Sequence, residues 1–193
     1  NHILYTMLVI GFWSCKAQIV DLNTSPIRMT QGGYYAKDSN NELAPFLGTW
    51  EATWNNKKIT LYLTKITHHY QIHPRLVYYY EDLVVGTYKV VDLTTGAILE
   101  DTTNITTIEN IPIISSALAR TKNMLCTLYM KRGVNAGDCA ILSNVYLYRD
   151  LNNPNILTYK YFIDSYESKN CPYNNVDDIP VNIPKQQVTL HKI

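Results

Sequence analysis

The feature that most constrains this chain is a repeated two-residue alternation broken by turn residues. In "GTWEATW" (Gly48–Trp54), Trp50, Ala52 and Trp54 fall on one side and Thr49, Glu51 and Thr53 on the other. Side chains alternate in this way only in a β-strand. Asn55-Asn56 follows, and Asn tolerates the positive φ that a two-residue hairpin turn demands. The return run "KKITLYLTKI" places Ile59, Leu61 and Leu63 on one face and Thr60, Tyr62 and Thr64 on the other.

The same pattern recurs down the chain. "LVVGTYKVV" sets Val84, Gly86, Tyr88 and Val90 against Val85, Thr87, Lys89 and Val91, and "DLTTG" turns it into "AILED". A strand is expected near Asn104–Ile108, with a less regular segment after Pro112. "MLCTLYMK" groups Met124, Cys126, Leu128 and Met130. "CAILSNVYLYRD" and "NILTYKYFI" are separated by "LNNPN", an Asn/Pro turn signal, and the second aligns Leu157, Tyr159, Tyr161 and Ile163. Prolines in "IPVNIPKQQVTLHKI" delay a last strand to about Gln187–Lys192. Tyrosine, at 16 residues, is the compositional outlier and favours half-buried pleated surfaces. No long stretch repeats apolar residues at helical spacing. Eight or nine strands joined by short turns bury one face and lose their edges if the sheet closes on itself. The expected fold is therefore all-β, an antiparallel up-and-down β-barrel spanning residues 45–193.

Residues 1–17 read differently. "ILYTMLVIGFW" is an apolar run of eleven, the length of a signal-peptide core and too short to span a bilayer. Two processing routes fit "SCKAQ". Lipidation at Cys15 follows Ser14-Cys15, and ordinary cleavage follows the small residues Cys15 and Ala17. Both routes export the protein, to the outer membrane or periplasm as a lipoprotein attached to the membrane through its N-terminal lipid, or as a secreted protein. Residues 18–44, rich in Asn, Ser and Thr, read as a tether and lead-in. Export leaves Cys126, Cys139 and Cys171 in an oxidising compartment. Cys126 and Cys139 meet across a hairpin if its turn centres on Arg132-Gly133, and slide past each other if it centres on Asn135-Ala136-Gly137. Three buried small residues are the alternative to any bridge.

A Gly-x-Trp at the start of the first barrel strand, Gly48-Thr49-Trp50, resembles the calycin group of lipocalins, fatty-acid-binding proteins and avidins. That resemblance implies that Trp50 closes one end of the barrel floor. Taken together, "SCKAQ", "FLGTWEATWNNKKITLYLTK", "YYYEDLVVGTYKVV" and "IPKQQVTLHKI" resemble an uncharacterised family of exported Bacteroidota proteins that bears only a domain-of-unknown-function label. The likeness implies compartment and barrel, and no activity.

The chemistry-bearing motifs are few. "HHYQIHP" (His68–Pro74) holds metal-ligand residue types, but His69 and His73 share a face only in a helix, so no metal and no cofactor is expected. There is no G-x-S-x-G elbow and no H-E-x-x-H, and no enzymatic activity is expected. A net charge of +1 without a basic stripe gives no reason to expect nucleic acid. Small barrels either fill their interior with side chains or hold one ligand. Trp50, Trp54, Tyr88, Tyr159 and Tyr161 are the candidate interior residues. They support a binder of a small apolar or amphiphilic ligand, or else a plugged barrel serving structure or protein interaction. Exposed tyrosines could instead stack on sugars or bind a partner.

Overall fold

The computed structural model describes residues 18–22, 32–72, 78–119, 121–131, 139–167, 171–173, 175 and 178–193, with backbone alone for 163–167. Among the described residues eleven strands occur in this order: β1 Gln18–Asp21, β2 Tyr34–Lys37, β3 Gly48–Trp54, β4 Lys57–Ile72, β5 Tyr78–Asp92, β6 Ile98–Asp101, β7 Ile113–Leu118, β8 Met124–Lys131, β9 Ala140–Arg149, β10 Ile156–Glu167 and β11 Val188–Lys192. Eight of them form a closed antiparallel ring: β5-β4-β3-β11-β10-β9-β8-β7, with β7 returning to β5. β1, β2 and β6 lie outside the ring.

The alternation in the sequence dictates which face turns inward. Trp50, Ala52 and Trp54 are buried, and so are Ile59, Leu61 and Leu63. Asn55 and Asn56 both adopt positive φ (42° and 59°), as a tight hairpin between β3 and β4 requires. The first and last barrel strands meet: Glu51 pairs His191 and Trp50 pairs Lys192. Trp50 is fully buried, and its indole N–H donates to the Phe46 carbonyl at 2.9 Å. Phe46 ends a short 3-10 turn, Ala44–Phe46, that lies against the start of β3. Trp50, Val188 and Leu190 belong to one core. Closure at β5–β7 depends on a close approach at Gly86. A Cβ there would come within 2.8 Å of Leu63 and 3.1 Å of Ile113.

Several expectations change. Residues 104–108 form no strand; turns and a 3-10 segment, Ile108–Asn110, occupy the region, and the strand comes after Pro112 as β7. In β8 the inward set is Leu125, Thr127 and Tyr129, and Met124, Cys126, Leu128 and Met130 take the other face. The expected tether carries β1 and β2. β2 adds to β5 in parallel through Tyr35↔Tyr80 and Ala36↔Glu81. The disulfide joins Cys139 to Cys171 and leaves Cys126 free. The β8–β9 register sets Cys126 opposite Tyr146, well along the strand from Cys139, so a Cys126–Cys139 bridge is out of reach. Cys139, Ile141 and Ile179 form a small separate core that, with the disulfide, fastens the 171–183 segment to the barrel.

Candidate functional site: a pocket where the barrel seam opens

β5 is a long strand whose outer edge is shared by three partners. Near its start it pairs β2, and at Val85 and Gly86 it pairs Ile114 and Ile113 of β7. From Lys89 onward β6 takes the edge, through Lys89↔Asp101 and Val90↔Glu100. The β5–β7 seam therefore parts just past Gly86. Thr102 covers the divergence, donating its N–H to the Tyr88 carbonyl (2.9 Å) and accepting the Tyr88 N–H on Oγ1 (2.7 Å). Across the gap the Met130 N–H donates to the Pro112 carbonyl at 2.8 Å.

A pocket of about 350 Å³ lies in this opening. Ile105, Ile111, Pro112 and Met130 give it apolar walls, and Tyr88, Tyr129, Glu100 and Thr102 give it a polar side; Glu109, Asn110 and Lys131 complete the lining. The polar side is organised. The Tyr88 hydroxyl donates to Glu100 Oε1 at 2.7 Å. The two phenol oxygens lie 3.2 Å apart, a contact in which either hydroxyl can donate. Asn182 Nδ2 donates to Glu100 Oε2 at 3.0 Å. Burial, then the neighbouring phenol and carboxylate, push the Tyr88 hydroxyl far above its ordinary pKa. Burial does the same for Tyr129, against the lowering effect of its bond to Tyr88. Both phenols thus stay protonated at any ordinary pH. They are suited to holding and orienting a polar group, not to removing a proton.

The 171–183 segment bounds the polar side. Asn182 reaches Glu100, and Lys131 Nζ donates to the Pro180 carbonyl at 3.2 Å.

Of the five aromatic residues singled out in the sequence, all are buried in one core, and Tyr88 alone lines this pocket. Trp50 and Trp54 pack near the β3 hairpin, away from its lining. Tyr161 accepts from Ser143 Oγ at 2.7 Å and meets the Tyr129 ring edge-on at 6.2 Å. Tyr159 is fully buried, and among the described residues its hydroxyl has no hydrogen-bond partner. Tyr129 and Glu100 were missed. Tyr129 sits in a run whose two faces are both largely apolar, and Glu100 looks like a solvated turn residue until β6 is seen to pair β5. Cys15, His73 and Pro74 lie outside the described residues. His68 and His69 are in β4, and among the described residues no group of His, Cys, Asp or Glu is placed to hold a metal. A second depression, about 470 Å³, lies outside the barrel where β3 and β11 part beyond Glu51. Glu51, Lys58, Gln186, Gln187 and His191 make it polar and wide open.

A family model matches residues 1–153. The chain belongs to DUF6705, a family of unknown function. No curated protein and no solved structure matches it. The DUF6705 match spans the seam, from β5 through β8, and both phenols of the pocket.

Proposed function

We propose that this DUF6705 chain is an exported protein, lipid-anchored at Cys15, that binds a small amphiphilic molecule at the barrel seam without transforming it. The observation that carries this reading is the seam pocket. Its volume falls at the small end of the range for ligand sites, and apolar walls face a few convergent polar groups. An apolar body packs against Ile105, Ile111, Pro112 and Met130. A hydroxyl or amine on the same molecule meets Glu100 and the Tyr88–Tyr129 pair. Export draws support from the Cys139–Cys171 bridge, since structural disulfides belong to oxidising compartments. A non-catalytic role draws support from the protonated phenols.

One observation favours the rival reading, a structural or protein-interaction envelope lipoprotein with a plugged barrel. Trp50, Trp54, Tyr159 and Tyr161 are packed into the core, where they plug the interior. A fluorescence titration with 1-aminoanthracene, an apolar dye bearing one amine, separates the two. Saturable binding that weakens in Ile111→Lys and in Glu100→Gln supports the seam pocket. No binding, or binding indifferent to both substitutions, favours the plugged barrel.

A further inference from the structure

The β4–β5 arm carries a surface that the seam pocket does not use. β3 accompanies β4 only as far as the Gly48↔Leu63 pair, so the rest of β4 and the start of β5 project past it. β2 widens this arm by pairing β5. Cross-strand partners share a face. The pairs Tyr35↔Tyr80, Tyr70↔Tyr80 and Ile72↔Tyr78 therefore put four tyrosines on one side of a four-stranded blade, β1-β2-β5-β4.

Their rings are arranged as a floor and a wall. The hydroxyl end of Tyr78 lies beside Gly33: a Cβ built at that glycine would meet Oη at 3.6 Å and both Cε2 and Cζ at 3.9 Å. Gly33 has φ +84°, so the backbone favours glycine there as well. Tyr78 is 52% exposed. The Tyr70 ring, 49% exposed, is 6.4 Å away and within 27° of parallel. Tyr80 stands at 62° to Tyr70, and His68 is stacked on Tyr80 at 4.0 Å and 9°. The wall is braced from below. Tyr35 packs edge-on against His68 at 4.7 Å and donates its hydroxyl to buried Asp82, which also accepts the His68 N–H at 3.1 Å. Asp82 is partnered further by the Asp38 N–H and by Lys65, so its charge serves the brace. Glu81, directly opposite His69, belongs to the other face.

We propose that this face is a carbohydrate platform, on which a sugar ring of a neutral glycan stacks on Tyr70 and Tyr78 while its hydroxyls bond the Tyr80–His68 wall. Floor and wall carry phenol hydroxyls and an imidazole but no carboxylate or ammonium, which fits a neutral polyhydroxylated ligand. A flat phenol offers its π face to C–H groups and keeps its in-plane hydroxyl for hydrogen bonding. A protein partner would want an aliphatic centre, and the exposed aliphatic side chains of this face, Ile72 on β4 and Ile19 on β1, stand at its two opposite edges. The rings are already held by stacking and by the Asp82 brace, so little ordering opposes binding.

A microarray of neutral oligosaccharides, followed by calorimetry with the glycan retained, tests the platform on the full chain. Tyr70→Ala and Tyr78→Ala, both at exposed positions, should each weaken binding roughly tenfold, the scale of one lost aromatic contact. The melting temperature and the 1-aminoanthracene affinity should not move, and Glu100→Gln should leave glycan binding intact. Three results would overturn the proposal: no neutral glycan retained, affinity undiminished in the Tyr70→Ala/Tyr78→Ala double variant, or a double variant that loses self-association of the chain in place of glycan binding. Failure of the seam pocket would appear only in the dye titration, so the two readings fail separately.

Discussion

Trp50→Ala is the substitution on which barrel closure depends most. Trp50 is fully buried beside Leu61 on β4 and faces Lys192 on β11, whose ammonium lies 5.2 Å from the indole ring. A buried aromatic removes roughly 150–250 Å² from water. At about 25 cal/mol per Å² its loss is worth about 4–6 kcal/mol before the Ala methyl and any collapse of the site are credited. Aromatic-to-alanine costs in cores run about 3–5 kcal/mol, which overlaps the lower part of that range. The substitution also leaves the Phe46 carbonyl without its indole donor, for about 1 kcal/mol more. The expected loss is about 4 kcal/mol, a large share of the roughly 5–15 kcal/mol that holds a domain together. Trp50→Phe keeps most of the burial and loses the hydrogen bond, so it should cost about 1–2 kcal/mol. Urea unfolding followed by far-ultraviolet circular dichroism, with the disulfide intact, measures both without relying on tryptophan emission. A loss below about 1 kcal/mol for the alanine variant would refute the closure reasoning.

Glu81 is held to about pH 7 because burial disfavours its charge, against a lowering hydrogen bond from Gln71. The folded protein thus binds a proton that the unfolded chain releases near pH 4.5, and stability should fall as pH rises from about 4.5 to 7. Glu81→Gln should flatten that decline by roughly 2–3 kcal/mol, read from chemical denaturation across the window. The Cys139–Cys171 bridge closes a loop with a sequence separation of 32, so reducing it should cost about 4 kcal/mol. Because the bridged segment supplies Asn182 to Glu100, dithiothreitol should also weaken 1-aminoanthracene binding; unchanged affinity would uncouple bridge and pocket. Tyr159→Phe removes a buried hydroxyl that has no partner among the described residues and should be neutral or stabilising. Tyr161→Phe breaks the Ser143 bond and should cost about 1 kcal/mol, and thermal melts that reverse this order would contradict the packing described.

The β3–β4 hairpin was legible because three signals agree there: alternation, an Asn-Asn turn and a face of large apolar residues. β11 was legible for a related reason, since prolines rule out an earlier start. What escaped the sequence depends on contacts between distant segments. β2 joins β5 in parallel, and no local turn announces such a pairing. The Thr- and Ile-rich stretch at 104–108 was expected to be a strand. Ile105 and Ile108 instead pack on Leu83, Val85 and Ile111, outside the main core. In β8 both faces are apolar enough to turn inward, and tertiary packing selects Leu125, Thr127 and Tyr129. The candidate site inherited these gaps. Tyr88 was readable from its strand, whereas Tyr129 and Glu100 needed the register. Cys171 pairs with Cys139 because the β9–β10 register runs out to Ala140↔Glu167, which brings the end of β10 beside Cys139.

The central claim is that the seam pocket holds a small molecule, and native mass spectrometry of the chain purified from its own host tests it most directly. The account predicts one small molecule retained per chain in the wild type, and bare protein for Ile111→Lys, whose charge would occupy the apolar wall. Bare protein in both preparations, or an equal added mass in both, would contradict it.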